Sequence, residues 1–505
     1  MLLTPHRQSL FSFLRLDLGK RLDSLRSTSS PSEIIGSVTK KRELLEGVAT
    51  HIYLGRPGGA PAAVFNPALA TLQHRLDHLD QVKVTRQDVM HAANYLNQAI
   101  GFYSDETERE KALEGLVDVA VDQGGSWNTQ LNWADGIKPN CCWWHKEFLI
   151  MVLELKNTVG LAGDPALQAI VDYSNIISQE KVRCAPSAHL DTTTYLWLQY
   201  KSFREFCNFP TVLFGVAENR IDISIAVCIG DIHVTKLLTL DATSGFLASD
   251  NIIRLARVFV ALSSCRKDLT LYYDEIEQRK GPKFSSLFPQ PTPADPSGSL
   301  PVLTYKQFLS RAGEPASVLA GLGNTTTAMY IATLNGTEKE VIVKFTARYN
   351  EKAHHILASA GFAPKLHFCG RVVGGLYMVV MDRVDGKSLW QIQTDKTPIP
   401  AIVLEHVRQA VYLLHQHNIV FGDLRDPNIL YDASKSGAVL VDFDWPGEDG
   451  VSRYPPTLNL TNQWPEEVLP YGIMHKAHDL WQLKRIEDVC QRGTLVLQSH
   501  QPSLP

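Results

Sequence analysis

The stretch Phe421-Gly-Asp-Leu-Arg-Asp-Pro-Asn-Ile-Leu430, running on into Ala438-Val-Leu-Val-Asp-Phe-Asp444, constrains this chain more than any other part of it. Asp423 and Asn428 stand five positions apart on a tight loop, and a strand-turn-strand then delivers Asp442 at the end of an apolar run. One carboxylate can orient or deprotonate a hydroxyl, while an amide and a second carboxylate can share magnesium. Phosphoryl transfer from ATP needs those groups, because its catalysis is mostly positioning and charge neutralisation. The bland reading is a hairpin with three polar residues at its turn. Motif, spacing and strand context together favour the chemical reading.

At 505 residues the chain has room for two or three domains, each with its own core. A net charge of −4 gives no global attraction to nucleic acid or membrane. The eight cysteines form no CxxC pair and no Cys/His zinc spacing, so reduced thiols in an intracellular protein, cytoplasmic or nuclear, are expected. Arg7, Arg15, Lys20, Arg21 and Arg26 give the first thirty residues a transit-peptide flavour, which Asp17 and Asp23 oppose; a surface helix is expected there. The longest apolar runs, such as Phe148 to Leu153, are too short to span a bilayer, so a soluble protein with no membrane partner is expected.

One boundary stands out. Residues 280–301, KGPKFSSLFPQPTPADPSGSLP, are dense in proline, serine and glycine without periodicity, and read as a linker. Before it, residues 1–120 read as mainly helical, with helices over Val89–Phe102 and Glu106–Val121. Residues 121–279 read as α/β: a strand over Glu147–Lys156, a helix over Pro165–Ser178, strands over Val212–Val216, Ile221–Ile229 and Ile232–Leu240, and a helix over Ile252–Leu262. After it, residues 302–495 give strands over Thr326–Thr333 and Glu340–Phe345 around an Asn335-Gly336 turn, then a helix over Asn350–Ser359 and a strand over Leu376–Met381. A helix over Ile402–His415 follows, with Val403, Val407, Ala410, Val411 and Leu414 on one face.

This last region resembles the protein-kinase-like superfamily, and its GDLR..NIL…VDFDWPG…YPP.LN…WP pattern is similar to the fungal-type protein kinase group. The resemblance implies an α+β fold, with a bilobal kinase-like domain at the C-terminus. By that resemblance Asp423 is the catalytic base, and Asn428 and Asp442 hold Mg2+. Lys344, in Val-Ile-Val-Lys, clamps the α- and β-phosphates of ATP with Glu351 as its ion-pair partner. Gly321 and Gly323 resemble the glycine-rich loop over the phosphates, with Thr326 in place of the third glycine. Met381 would neighbour the adenine and the Val384 backbone would contact it. Asp479 resembles the aspartate that holds the catalytic-loop backbone. The departures are Phe421-Gly422 for the usual His-Arg, Arg425 for the usual lysine, Asp444 for a glycine, and no Ala-Pro-Glu. Arg425 keeps the positive charge, offers a fork to the γ-phosphate and joins the catalytic set. Asp444 gives up glycine's backbone freedom.

Upstream, Asp135-Gly-Ile-Lys-Pro-Asn140 followed by Leu149-Ile-Met-Val-Leu-Glu154-Leu-Lys156 resembles a PD-(D/E)XK nuclease core, with Gln168 and Tyr173 at supporting positions. In that family an aspartate and the Glu-x-Lys glutamate hold magnesium, and the lysine positions water. Asn140 stands where an active nuclease has aspartate. Glu-x-Lys on an apolar strand is also a common ion pair. Trp127, Trp133, Trp143 and Trp144 could stack on bases or simply pack. The expected activity is an ATP- and Mg2+-dependent phosphotransferase, a Ser/Thr protein kinase with a protein substrate. A small-molecule phosphotransferase, a non-catalytic ATP-binding scaffold, and a nuclease under control of the kinase region stay open. Nucleic acid would be a partner only through the N-terminal domain.

Overall fold

The computed structural model describes residues 52–54, 61–121, 127–128, 139–146, 148–157, 164–178, 182–184, 196–198, 203, 206–229, 232–241, 249–278, 285–309, 315–316, 328–337, 339–433, 436–456, 458–459 and 464–498. The fold is mixed α+β with several sheets. The chain divides into two compact units: residues 1–298 with 316–326 and 372–374, and residues 299–315, 327–371 and 375–505. No described helix is long and apolar enough to cross a membrane.

The first unit contains β1 (Ile52–Leu54), α1 (Pro67–Asp77), α2 (Arg86–Ala99), α3 (Glu106–Val121), β2 (Trp127–Asn128), β3 (Cys141–His145), β4 (Phe148–Lys156), α4 (Pro165–Ser178), β5 (Val182–Cys184), β6 (Leu196–Leu198), β7 (Thr211–Ala217), β8 (Arg220–Cys228), β9 (Ile232–Asp241) and α5 (Ser249–Gln278). Its seven-stranded sheet has the order β1-β9-β8-β7-β4-β3-β2. β4 pairs in parallel with β7, the connection running through α4. Both strands are buried almost throughout, which is why β4 reads as one apolar run rather than an alternation. Gly215 allows α4 to approach β7 closely: a Cβ there would come 2.8 Å from the Ala166 nitrogen.

Strands form at 148–156, 211–217, 220–228 and 232–241 and helices at 106–121 and 165–178, in the places the sequence led one to expect. α2 starts at Arg86, because Thr85 and Asp88 make a reciprocal capping box. α5 continues far beyond Leu262: Cys265, Leu269, Tyr272, Tyr273 and Ile276 extend its buried stripe, and the Tyr272 and Tyr273 hydroxyls donate to Asn208 Oδ1 and the Pro210 carbonyl, both at 2.9 Å. The helix therefore runs well past the Ile252–Leu262 span expected from the sequence. Within the proline-rich stretch read as a linker, Leu287 and Phe288 are buried and the Gln290 N–H donates to the Val64 carbonyl, so these residues hold to the first unit.

The second unit contains β10 (Leu303–Leu309), β11 (Pro315–Ala316, whose second residue counts with the first unit), β12 (Ala328–Leu334), β13 (Glu340–Thr346), α6 (Glu351–Ser359), β14 (Leu366–Val372, whose last residue also counts with the first unit), β15 (Leu376–Asp382), β16 (Gly386–Ser388), α7 (Leu389–Thr394), α8 (Ala401–Gln416), β17 (Ile419–Val420), β18 (Ile429–Asp432), β19 (Gly437–Leu440), β20 (Gly447–Glu448) and α9 (Lys476–Gln498). A six-stranded sheet runs β11-β10-β12-β13-β15-β14, and two small sheets, β16-β18-β19 and β17-β20, complete it. β13 lies between β12 and β15, antiparallel to both. Asn350 caps α6 by accepting from the Ala353 N–H. The periodic face of α8 is buried as the sequence requires, against a core that includes Phe421, Leu424, Ile429, Phe443 and Ile486.

Candidate functional site

The loop between β17 and β18 carries Asp423, Arg425 and Asn428. Its backbone is held from α9. Asp479 accepts the N–H groups of Phe421 at 2.7 Å and Gly422 at 2.8 Å, and one helical turn on, Gln482 Oε1 accepts the Leu424 N–H at 3.1 Å. His415 Nε2 lies 3.0 Å from the same Asp479 carboxylate. Phe421 and Leu424 anchor the loop in the core between these bonds. Gly422 adopts φ +77°, a conformation that favours glycine and accounts for Phe-Gly standing before Asp423.

Asp423 is buried. Its Oδ2 accepts from Arg425 Nη2 at 2.7 Å and Asn428 Nδ2 at 2.8 Å, and Arg425 Nε bonds its Oδ1. Asn428 Nδ2 also donates to the Asp423 carbonyl at 2.9 Å, which turns the amide oxygen of Asn428 away from Asp423. Burial pushes the Asp423 pKa up and Arg425 opposes it, leaving a carboxyl above its ordinary range. Burial alone would lower Arg425, but Asp423 and Asp442 outweigh it. The guanidinium also lies 5.9 Å and 5.8 Å from the rings of Trp445 and Trp464, which stack on each other.

Lys344 belongs to β13, and only 4% of its side chain is exposed. Its ammonium reaches Asp442 Oδ1 and Asp444 Oδ1, each at 2.6 Å, and Thr346 Oγ1 donates to Asp444 Oδ2 at 2.8 Å. Burial would depress the lysine, but Asp442 and Asp444 more than offset it and hold it above its usual value. Asp444 is pushed up to about 7 by burial and by the charge of Asp442, against the pull of Lys344. The positive φ in this segment, +70°, falls on Asp442 and not on Asp444. Asp442 is joined to the Asn428 turn through the Val441 N–H, which donates to the Asn428 carbonyl at 3.0 Å.

The expected Lys344–Glu351 pair does not form. Glu351 is 54% exposed on the first turn of α6, 3.6 Å from His355, and the two aspartates take its place at Lys344. Met381 is buried at the end of β15 opposite Ile342, and Val384 is half-buried just after that strand. Gly321, Gly323 and Thr326 lie outside the described residues. Sequence reasoning missed Gln482, whose signal was its i+3 spacing from Asp479, and the bond from Thr346, two positions beyond Lys344 on one strand face.

In the first unit, Glu154 is fully buried on β4. Its Oε1 accepts the Asn140 N–H at 2.9 Å, Asn140 Oδ1 accepts the Leu155 N–H at 2.9 Å, and Asn140 Nδ2 donates to Glu110 at 3.2 Å. Lys156 pairs with Glu106 at 3.0 Å. Asp172 of α4, absent from the expectations, lies against Glu154; burial first, then the Asp172 charge, drives Glu154 well above its usual range, and burial takes Asp172 to about 7. Gln168, one turn before Asp172 on α4, works against this rise, and the Tyr173 hydroxyl donates to the Phe209 carbonyl at 2.8 Å. Trp143 is buried on β3 and so packs rather than offering a face to a base; Trp144 is partly buried beside it. Asp135, Trp133 and the side chain of Trp127 lie outside the described residues.

No family model matches the chain, and no curated protein matches it. Among solved structures it is similar to the Cydia pomonella granulovirus kinase PK-1, at 18% identity and a TM-score of 0.30, over 37% of this chain and 68% of that one. A likeness of that depth adds nothing to the chemistry of the site, which rests on the residues themselves.

Proposed function

We propose that this protein is an ATP- and magnesium-dependent phosphotransferase, a Ser/Thr protein kinase of the atypical fungal type with a kinase-like bilobal second unit. The observation that carries this reading is the loop braced by Asp479 and Gln482, which presents Asp423 and Asn428, together with a buried Lys344 ion-paired to Asp442. Lys344 would bind the α- and β-phosphates through its buried ammonium. Asp423 would accept the proton of the acceptor hydroxyl as its oxygen bonds the γ-phosphorus and the bond to the β–γ bridging oxygen breaks, releasing ADP. Arg425 would exchange Asp423 for the phosphoryl oxygens, which frees the base and offsets charge.

The Asn428 amide oxygen and the Asp442 carboxylate are hard oxygen donors of the kind magnesium takes. Among the described residues no cluster of three or more His, Cys, Asp or Glu forms a metal cage, so the remaining ligands would be phosphate oxygens and water. Magnesium, when bound, neutralises phosphate charge. Lys344→Ala should weaken MgATP binding, and Asp442→Asn should raise the magnesium requirement; an unchanged ATP affinity or magnesium titration would remove either assignment. Transfer to a protein rather than to a small molecule is tested by the acceptor that accumulates label.

For the first unit we propose a restriction-endonuclease-like scaffold without cleavage activity. Asn140 already spends its amide on Leu155 and Glu110, and Glu154 is closed off from solvent, which supports a structural role. Cleavage of DNA in magnesium, lost in Glu154→Ala, would overturn this. An intracellular site, cytoplasmic or nuclear, fits cysteines such as Cys265 and Cys369, which stand as reduced thiols.

A further inference from the structure

We propose that Asp444 is the resident positioning partner of Lys344, the role expected of Glu351. The inference rests on the phosphotransferase reading of the same site, and on geometry independent of it.

A lysine ammonium held almost wholly out of water needs a fixed opposite charge. Two carboxylates meet Lys344 at 2.6 Å, but they are not equivalent. Asp442 is 39% exposed, whereas Asp444 is 16% exposed and the more fixed of the two. The second oxygen of Asp444 is tied to Thr346, which stands two positions from Lys344 and therefore on the same face of β13. Asp444 thus bridges Lys344 and Thr346 on one strand. The segment around it is strapped on both sides: the Asn350 N–H donates to the Phe443 carbonyl at 2.8 Å, and Asn350 Nδ2 donates to the Pro446 carbonyl at 2.9 Å. Phe443 is stacked on His354, with ring centroids 4.4 Å apart and planes 3° from parallel. The start of α6 therefore contributes to the lysine through the Asn350 cap and the stacked His354, which fix the Asp444 backbone, and not through Glu351.

Two measurements on the full chain test this. The first is labelling of Lys344 by an amine-reactive ester, read by peptide mass spectrometry, which needs no ATP and no activity. Asp444→Asn should speed labelling about tenfold, the scale of one lost charge-assisted bond, and Asp444→Glu should restore part of the protection. Glu351→Gln should leave the rate within twofold, roughly the scale of an exposed contact. The second is MgATP titration: Asp444→Asn should weaken ATP about tenfold with the magnesium midpoint kept, and Asp442→Asn should shift that midpoint. Faster labelling in Glu351→Gln than in Asp444→Asn, or equal protection in both, would overturn the assignment of Asp444. If the labelling pattern holds while wild-type protein neither binds MgATP nor transfers phosphate, the positioning role stands and the phosphotransferase reading falls. A thermal melt of each variant separates a local change at Lys344 from unfolding.

Discussion

Asp479 and Gly422 are 57 positions apart in the chain and are joined by a 2.8 Å hydrogen bond from the glycine N–H to the carboxylate. The same carboxylate accepts the Phe421 N–H, so one buried side chain on the first turn of α9 sets the backbone that presents Asp423. Two N–H donors in a water-free setting would otherwise be unpaired, and each unpaired donor costs roughly 1–3 kcal/mol.

Asp479→Ala is therefore expected to destabilise the second unit by about 2–4 kcal/mol and to lower activity even where the protein remains folded. Asp479→Asn, which keeps an acceptor oxygen, should cost less. Urea unfolding followed by tryptophan fluorescence measures both; equal midpoints for wild type and Asp479→Ala would rule out the brace.

Gly422→Ala should be destabilising by roughly 1–3 kcal/mol, because φ is +77° there and a Cβ would come 2.1 Å from the Met474 Cε. The methionine is buried, so its methyl has little room to yield. Adding Met474→Ala removes the collision but not the backbone strain. The double variant should recover only part of the loss in a thermal melt, and full recovery would place the whole cost in the collision.

His354 gives the second unit a pH dependence. The Pro364 carbonyl can only accept, so Nε2 carries the proton, and Nδ1 accepts from the Tyr349 hydroxyl. Burial, partly opposed by the Pro364 carbonyl, lowers the imidazole to about 4 from its ordinary 6.5. As pH falls below 6.5 the unfolded chain takes up a proton that the folded one refuses until about 4, so stability is present above 6.5 and drains away between 6.5 and 4. His354→Phe keeps the ring against Phe443 and should flatten this limb of a melting-temperature profile. An unchanged acid limb would assign it to other groups.

The first unit should show the opposite slope. Asp172 rises from 3.8 to about 7 in the fold, so its contribution is fully present below pH 3.8 and is lost as pH climbs through 7. In Glu154→Gln the new amide can donate to Asp172 and remove its need for a proton. The variant should melt higher than wild type at pH 8, with a shallower decline between pH 4 and 7. A lower melting temperature at pH 8 would mean that the Glu154 carboxyl stabilises rather than strains this core.

Much of this was legible before the fold. The apolar run of β4, the periodic face of α8 and the Asn335-Gly336 turn carry their periods and turn chemistry in the sequence, and the elements form there. The five-residue spacing of Asp423 and Asn428 likewise announced a shared loop, with Asp442 following a strand-turn-strand. The partner of Lys344 did not show, because Glu351 and Asp444 are both plausible by type and only the direction of α6 leaves one in solvent. Asp172 was hidden for a related reason: on an amphipathic helix an aspartate reads as surface, and only close packing of α4 on the sheet brings it against Glu154. The extent of α5 was obscured by three charged residues that lie between buried turns.

In the proposed phosphotransferase, Asp423 serves as the base. The most direct measurement is transfer of radiolabel from the γ-phosphate of ATP to a generic protein substrate in magnesium, wild type beside Asp423→Ala, with ATP affinity measured on both. Transfer by the wild type is expected, with a loss of about a hundredfold or more in the variant at similar ATP affinity. Equal transfer by the two proteins, or ATP binding without any transfer by the wild type, would contradict that role.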